Sequence, residues 1–338
     1  MKILPKTLGT RPRLAVEIRW GGVVAARAEA ESAASAGLMA AVSRAELGPE
    51  AIEAGLKPGN FRTRAAVIAA VRKTLEAVHE KGMGRQVTLV VPDAAVRVLL
   101  LDFDTLPTKA AEALPVVRFR LKKLLPFDAD DAMISFQIMS SGKGGVRVLA
   151  AAVPRDVLEE YESAVREAGF EPGCILPSTL AALSGMEDER ASLLVNANAL
   201  GVTTAIVRSG ILLLHRTMDM HEPAAGVPAE ISAQMAEPSI AEPVPGTQQF
   251  PLSEEIAQAV NVAAAYFEDT LSEPPHQLLS AGPLGAEQLA NILAASGIAR
   301  EDGLRVRELV ESKDLLAGAA TSAVPRAWLS GVLGALRA

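Results

Sequence analysis

Hydrophobic and polar positions follow the same order twice along this chain, once towards each end. In the first half, Leu14-Ala-Val-Glu-Ile18 and Val23-Val-Ala-Ala-Arg27 flank Trp20-Gly21-Gly22. Apolar strands on either side of a glycine pair that accepts positive φ predict a tight hairpin. A short third strand follows at 38–42. Val67, Ile68, Val71, Leu75 and Val78 then fall at i, i+3/4, i+7 spacing, which predicts a helix over 63–81 stopped by Gly82. The β-branched run Val87-Thr-Leu-Val-Val91 predicts the next strand. In the second half, strands at 192–195 and 203–207 flank 196–201, and Ser209-Gly210 turns the chain into a strand at 211–214. A helix is predicted over 253–271, with Ser253 as N-cap and Glu254 and Glu255 in its first turn. Its apolar stripe is Ile256, Val260, Ala263, Ala264, Phe267 and Leu271. A strand at 277–280 and a helix at 287–295 complete the half. Three strands, a helix, a strand and a helix, present twice, place the chain in the α/β class.

The middle has its own grammar. Met133-Ile-Ser-Phe-Gln-Ile138 and Val146-Arg-Val-Leu-Ala150 alternate as strands, and Ser140-Ser-Gly-Lys-Gly-Gly145 is the hairpin loop between them. A helix over 114–125 brings Leu114, Val117, Leu121 and Leu124 to one side, with Pro115 expected to start or kink it because proline lacks a backbone donor. Val157, Leu158, Tyr161, Ala164, Val165 and Ala168 define a helix over 155–168 that ends at Gly169. Between His221 and Gln249 the pattern breaks. Pro223, Pro228, Pro238, Pro243 and Pro245 fall among Ala and Glu with little apolar periodicity, which predicts a flexible surface loop.

Composition narrows the function classes. With 338 residues, 49% of them apolar, the chain can build two cores, and aromatics at 4% leave those cores to aliphatic side chains. A net charge of −7 and a pI near 5.3 argue against a general nucleic-acid binder. Arg118, Arg120, Lys122 and Lys123 nevertheless cluster. They read either as a solvated helix face or, with Leu121, Leu124 and Phe127 as apolar anchors, as a surface that recognises a short peptide. The three apolar residues serve equally well as the small core of a subdomain. Cys174 is the single cysteine; it fits a reducing compartment and, beside Ile175 and Leu176, reads as a small apolar residue rather than a nucleophile. The N-terminus lacks the apolar segment of a signal peptide, and no run approaches the ~18 apolar residues of a membrane span.

Chemistry is sparse. His79, His215, His221 and His276 show no metal-ligand spacing. No Gly-x-Ser-x-Gly elbow is present. Gly142-Lys143-Gly144-Gly145 lacks the spacing of a phosphate loop and reads as a turn.

The central sequence LKKLLPFDADDAMISFQIM…VRVLAAAVPRDVLEEYESAVREAGFEPGCILPSTLAAL resembles the middle of PilM-type proteins, actin-like components of type IV pilus assembly machines. The resemblance implies an actin-like α/β fold of two ribonuclease H-like lobes with an inserted FtsA/PilM-type subdomain. It places the first lobe at 12–95 with a return at 169–190, the inserted subdomain at 96–168, the second lobe at 191–322 and a C-terminal helix, 323–338, on the first lobe. It also implies that the subdomain closing over the nucleotide is reduced to the linker 221–250. The family's nucleotide positions map onto Glu17, Arg19 and Gly21 in the first hairpin, Asn196, Asn198 and Gly201 in the second, and Gly282 in Ser280-Ala-Gly-Pro-Leu-Gly285. There Glu17 stands for Asp, Arg19 and Asn198 for Gly, and Asn196 for Asp, while Pro283 removes a donor. These departures imply a pseudo-ATPase without ATP or magnesium. The implied role is a scaffold, cytoplasmic and held at the inner membrane by the N-terminal peptide of a bitopic PilN-like partner, lying between the inserted subdomain and the first lobe. Arg118, Arg120, Lys122, Lys123 and Phe127 are the candidate partner-binding residues. Two other readings are an active actin-superfamily ATPase or kinase and a GspL-like type II secretion component.

Overall fold

The computed structural model describes residues 12–29, 37–142, 144–184, 186, 189–199, 201–219, 253–272, 275–297, 305–316, 319 and 324–337. The loop expected at 221–250 lies outside the described residues.

In the first lobe, β1 (Leu14–Arg19) pairs antiparallel with β2 (Gly22–Ala28), which pairs with β3 (Met39–Glu46). On its other side β1 runs parallel to β4 (Gln86–Val91), and β4 runs parallel to β8 (Glu171–Pro177). The sheet is covered on both faces, which is why every residue of β1 is buried. Leu14, Val16 and Ile18 point to the face packed by α1 (Arg64–Val78) and α3 (Arg155–Glu167). Ala15 points to the other, packed by α4 (Ser178–Leu183) and the C-terminal α7 (Ser330–Arg337). α3 is fastened to the lobe by the Glu160 carboxylate, which accepts the backbone N–H groups of Gly59, Asn60 and Phe61 at 2.9–3.0 Å.

The second lobe repeats the order. β9 (Ser192–Asn198), β10 (Gly201–Arg208) and β11 (Ile211–Asp219) form an antiparallel meander. β12 (Gln277–Ala281) pairs parallel with β9 and with β13 (Val306–Glu308). α5 (Ser253–Tyr266) buries Ile256, Val260 and Ala263, and α6 (Ala286–Ala295) buries Leu289, Ile292 and Leu293. The helix predicted through 271 changes character at Phe267, where a π turn over Phe267–Leu271 ends on Ser272 with φ +54°. The wider turn keeps Phe267 in the core while the following residues rotate outward.

The inserted subdomain is a three-stranded sheet in the order β5 (Arg97–Phe103), β7 (Gly145–Pro154), β6 (Ala132–Gly142). α2 (Ala110–Leu121) covers one face, packing Val117 and Leu121 on Leu101, Val148, Ala150 and Ala152. Pro115 does not start this helix; it sits inside, and the helix begins earlier than predicted. The backbone bond lost there frees the carbonyl of Ala111, an exposed residue, so water can take its place.

One apolar cluster joins the three parts. It contains Ala15, Val24 and Val90 of the first lobe, Leu180, Ala181 and Leu183 of α4, Leu194, Ala205 and Leu279 of the second lobe, Met139 and Leu149 of the insert, and Leu329, Val332 and Leu333 near the C-terminus. Beside it two helices approach closely. A Cβ on Gly334 of α7 would overlap the Ala181 carbonyl oxygen of α4.

Candidate functional site

Three turns converge where the lobes meet. The β1–β2 hairpin pairs Arg19 with Gly22 across Trp20-Gly21, with Gly21 at φ +77°. The β9–β10 hairpin pairs Asn198 with Gly201. β12 ends in Ala281-Gly282, with Gly282 at φ +93°. Glu17, Arg19, Trp20, Asp93, Ser178, Asn196, Asn198, Gly201 and Thr203 all line the resulting cleft. Gly282 closes its floor: a Cβ there would overlap Asn196 Oδ1 and lie 3.2 Å from Arg19 Nη2. Gly21 stands behind it against the Trp328 ring. Five of the seven positions expected from the sequence line this cleft, and Gly21 and Gly282 lie beside it.

The side chains in the site bond to one another. Arg19 Nη1 lies 3.4 Å from Glu17 Oε2, and both residues are buried. Ser178 Oγ donates to Glu17 Oε1 at 2.7 Å. Desolvation raises the Glu17 pKa above the ordinary carboxylate value, while Arg19 and the Ser178 hydrogen bond oppose that shift. From the second lobe, Asn196 Nδ2 reaches Asp93 Oδ2, Ser178 Oγ and Thr179 Oγ1 at 3.0–3.2 Å. Thr179 donates its N–H and its hydroxyl to Asp93 at 2.9 and 2.5 Å. Asn196 therefore clasps the second lobe to the first through four side chains, if Glu17 is counted through Ser178. Gly282 N–H donates to Ser330 Oγ at 3.2 Å, which adds the start of the C-terminal helix.

The C-terminal segment also braces the first hairpin. The Trp328 ring lies 3.9 Å from the Arg44 guanidinium carbon and 5.4 Å from that of Arg19, a cation–π stack on both. A Cβ on Gly331 would come within 2.5–2.9 Å of the Glu17 carboxylate. The extra methylene of Glu17, compared with Asp, thus spans the distance to the C-terminal helix.

Asp93, Ser178 and Thr179 carry the clasp and were not singled out from the sequence. His215, on β11, reads from the sequence only as lacking metal spacing; in the structure it is half-buried, with its Nε2 buried and unpartnered. Burial lowers its pKa, and the nearby Asp93 opposes this. The sign follows directly. A depressed folded pKa means the unfolded chain binds a proton more readily below its ordinary value of 6.5, so stability is full above that pH and declines below it. His215→Gln is expected to flatten the loss of thermal stability between pH 7 and pH 5.5, read as melting temperature against pH; an unchanged slope would place the titrating group elsewhere.

The cleft opens to solvent, and groups at its centre that a magnesium-bound nucleoside triphosphate would meet are already engaged by the protein. Glu17 and Asp93 already accept hydrogen bonds, and the Arg19 guanidinium stands between the two hairpins. Among the described residues no group of three or more His, Cys, Asp or Glu could hold a metal ion.

The basic cluster divides. Arg118 is partly engaged: its Nη1 donates to the carbonyls of Ala129 and Ala132 and pins the loop before β6. Phe127 is half-buried in the subdomain core. Lys122 pairs with Asp130 at 2.6 Å. Arg120 and Lys123 are exposed. Of the other apolar candidates, Leu121 is core and Leu124 is exposed.

No family model and no curated protein matches the sequence. The fold does find solved relatives. The chain is similar to a structure of the PilM-PilN type IV pilus biogenesis complex, with a TM-score of 0.70 at 15% identity, covering 96% of this chain and 98% of that one. The fold is the actin-like fold of PilM. Weaker likenesses are to EutJ, an ethanolamine utilization protein of Carboxydothermus hydrogenoformans (TM-score 0.47, 13% identity, 98% and 91% covered), and to the cytoplasmic domain of EpsL, an inner-membrane component of the type II secretion system of Vibrio cholerae (0.45, 14%, 86% and 96%). The PilM-like fold extends over both lobes and the insert, since nearly all of each chain is matched. Among the described residues no helix is long and apolar enough to cross a membrane.

Proposed function

We propose that this chain is a non-catalytic, actin-like scaffold of a type IV pilus or related secretion machine. It binds the cytoplasmic N-terminal peptide of a bitopic, PilN-like inner-membrane protein. The observation that carries the non-catalytic reading is the clasp itself. Asn196 Nδ2, Arg19 Nη1 and both Glu17 carboxylate oxygens are engaged within the protein, where an enzyme would turn such groups to phosphate and metal. The partner reading is supported by the fold shared with a PilM solved together with PilN. The peptide's place is the junction of insert and first lobe, where β4 leads through Pro92–Val96 into β5 and β7 returns into α3. Peptide held there would be read by backbone and apolar contacts, with the lobes fixed by the clasp rather than by a nucleotide.

Titration calorimetry with a synthetic peptide from the N-terminus of the bitopic protein encoded nearest this chain tests the partner. Micromolar affinity, about −8 kcal/mol, without any nucleotide is expected. Affinity that appears only when Mg-ATP is added, or no affinity at all, would remove the reading.

A further inference from the structure

The outer side of α2 holds exposed apolar side chains that packing does not explain. Phe119 is 70% exposed, and Val116 and Leu124 are exposed beside it along the same helix and turn. Val116, Phe119, Arg120 and Lys123 follow at i, i+3, i+4 and i+7, so they share one side of the helix and the turn after it. Ala113, Val117 and Leu121 take the opposite side, into the subdomain core. α2 is the outermost layer of the insert, so the face is the convex crown of a single helix.

The charge on this face is positive, against a net charge of −7 for the whole chain. Glu112 is paired with Lys109 at 3.3 Å and Asp130 with Lys122 at 2.6 Å. Asp128 and Asp131 lie on the loop beside the Arg118–Lys122 edge; by helical spacing Arg120 stands on the other edge. Arg120 and Lys123 form no ion pair among the described residues. Two unneutralised cations thus flank an exposed phenyl ring on its C-terminal side.

We infer that this crown docks on an anionic lipid surface. A convex face with a protruding aromatic ring and long cationic side chains matches the headgroup boundary. There the ring enters the apolar layer and the cations stay with the phosphates. A peptide would need walls that a single helix crown does not offer. The inference stands apart from the peptide reading, which uses a different surface.

The test is co-sedimentation of the full chain with vesicles of phosphatidylcholine alone and of phosphatidylcholine mixed with phosphatidylglycerol. Binding is expected to the mixed vesicles only and to weaken as salt shortens the screening length. Arg120→Glu and Lys123→Glu are each expected to weaken it about fivefold or more, and Phe119→Ser about tenfold. Melting temperatures should not change, because all three side chains are exposed; Val116→Ser gives a second apolar variant. Equal partition to both vesicle types, or wild-type binding by the variants, overturns the inference. So does a loss of partner-peptide affinity in the variants without any vesicle binding by the parent chain, which would make the crown a protein contact.

Discussion

Arg19→Met is expected to destabilise the protein by about 3 kcal/mol or more, and Glu17→Gln by a comparable amount. Each single change strands one member of a buried pair. Arg19 without Glu17 is a buried cation left with the Trp328 ring and no paired carboxylate; Glu17 without Arg19 keeps only the Ser178 hydroxyl. The Arg19→Met penalty should grow as pH rises. Burial already raises the Glu17 pKa, and loss of Arg19 removes an opposing influence, so at acid pH Glu17 takes up a proton and at higher pH it must stay buried and charged. The double variant is expected to cost less than the sum of the singles, because both desolvated charges leave together. Urea unfolding of the four proteins gives the cycle. Additive penalties would mean that the 3.4 Å pair contributes nothing as a pair.

Gly334→Ala is expected to cost about 3 kcal/mol, a large effect for one methyl group. The Cβ would overlap the backbone carbonyl of Ala181, and neither α4 nor α7 can swing a side chain aside to admit it. The helices must separate instead, and with them the cluster that unites the two lobes, the insert and the C-terminus. Gly55→Ala is a suitable control, because nothing lies within 4 Å of the Cβ it would add. A melting temperature for Gly334→Ala equal to that control would show that α4 and α7 are free to part.

The elements that read clearly from the sequence are those whose period is set by burial. β1, β4 and α1 are covered by apolar partners, so their β-branched runs and their i, i+3/4 stripe appear undiluted. The start of α2 was hidden because Pro115 looks like a helix boundary and the exposed residues before it show no stripe. The π turn after Tyr266 was invisible because the apolar spacing runs through it unbroken to Leu271. The nucleotide-like positions were legible through the two hairpins and Gly282, since glycine and the residues replacing it stand at turns. What fills the cleft was not. Asp93 follows a proline in a short turn with no period to mark it, and Ser178 and Thr179 open a short helix whose other residues are apolar. Each becomes meaningful only when Asn196 arrives from the other lobe, more than a hundred residues from Asp93. Arg118 was likewise indistinguishable from its neighbours, because carbonyl acceptors at Ala129 and Ala132 leave no mark in side-chain chemistry.

Calorimetric titration of the full chain with Mg-ATP tests the central claim, that the protein's own side chains hold the lobes together where a nucleotide would sit. The account predicts no heat of binding at micromolar concentrations and no detectable affinity below about 1 mM, that is, none stronger than about −4 kcal/mol. Saturable binding in the micromolar range, near −8 kcal/mol, would mean that the clasp of Arg19, Glu17 and Asn196 opens for phosphate, and would contradict it.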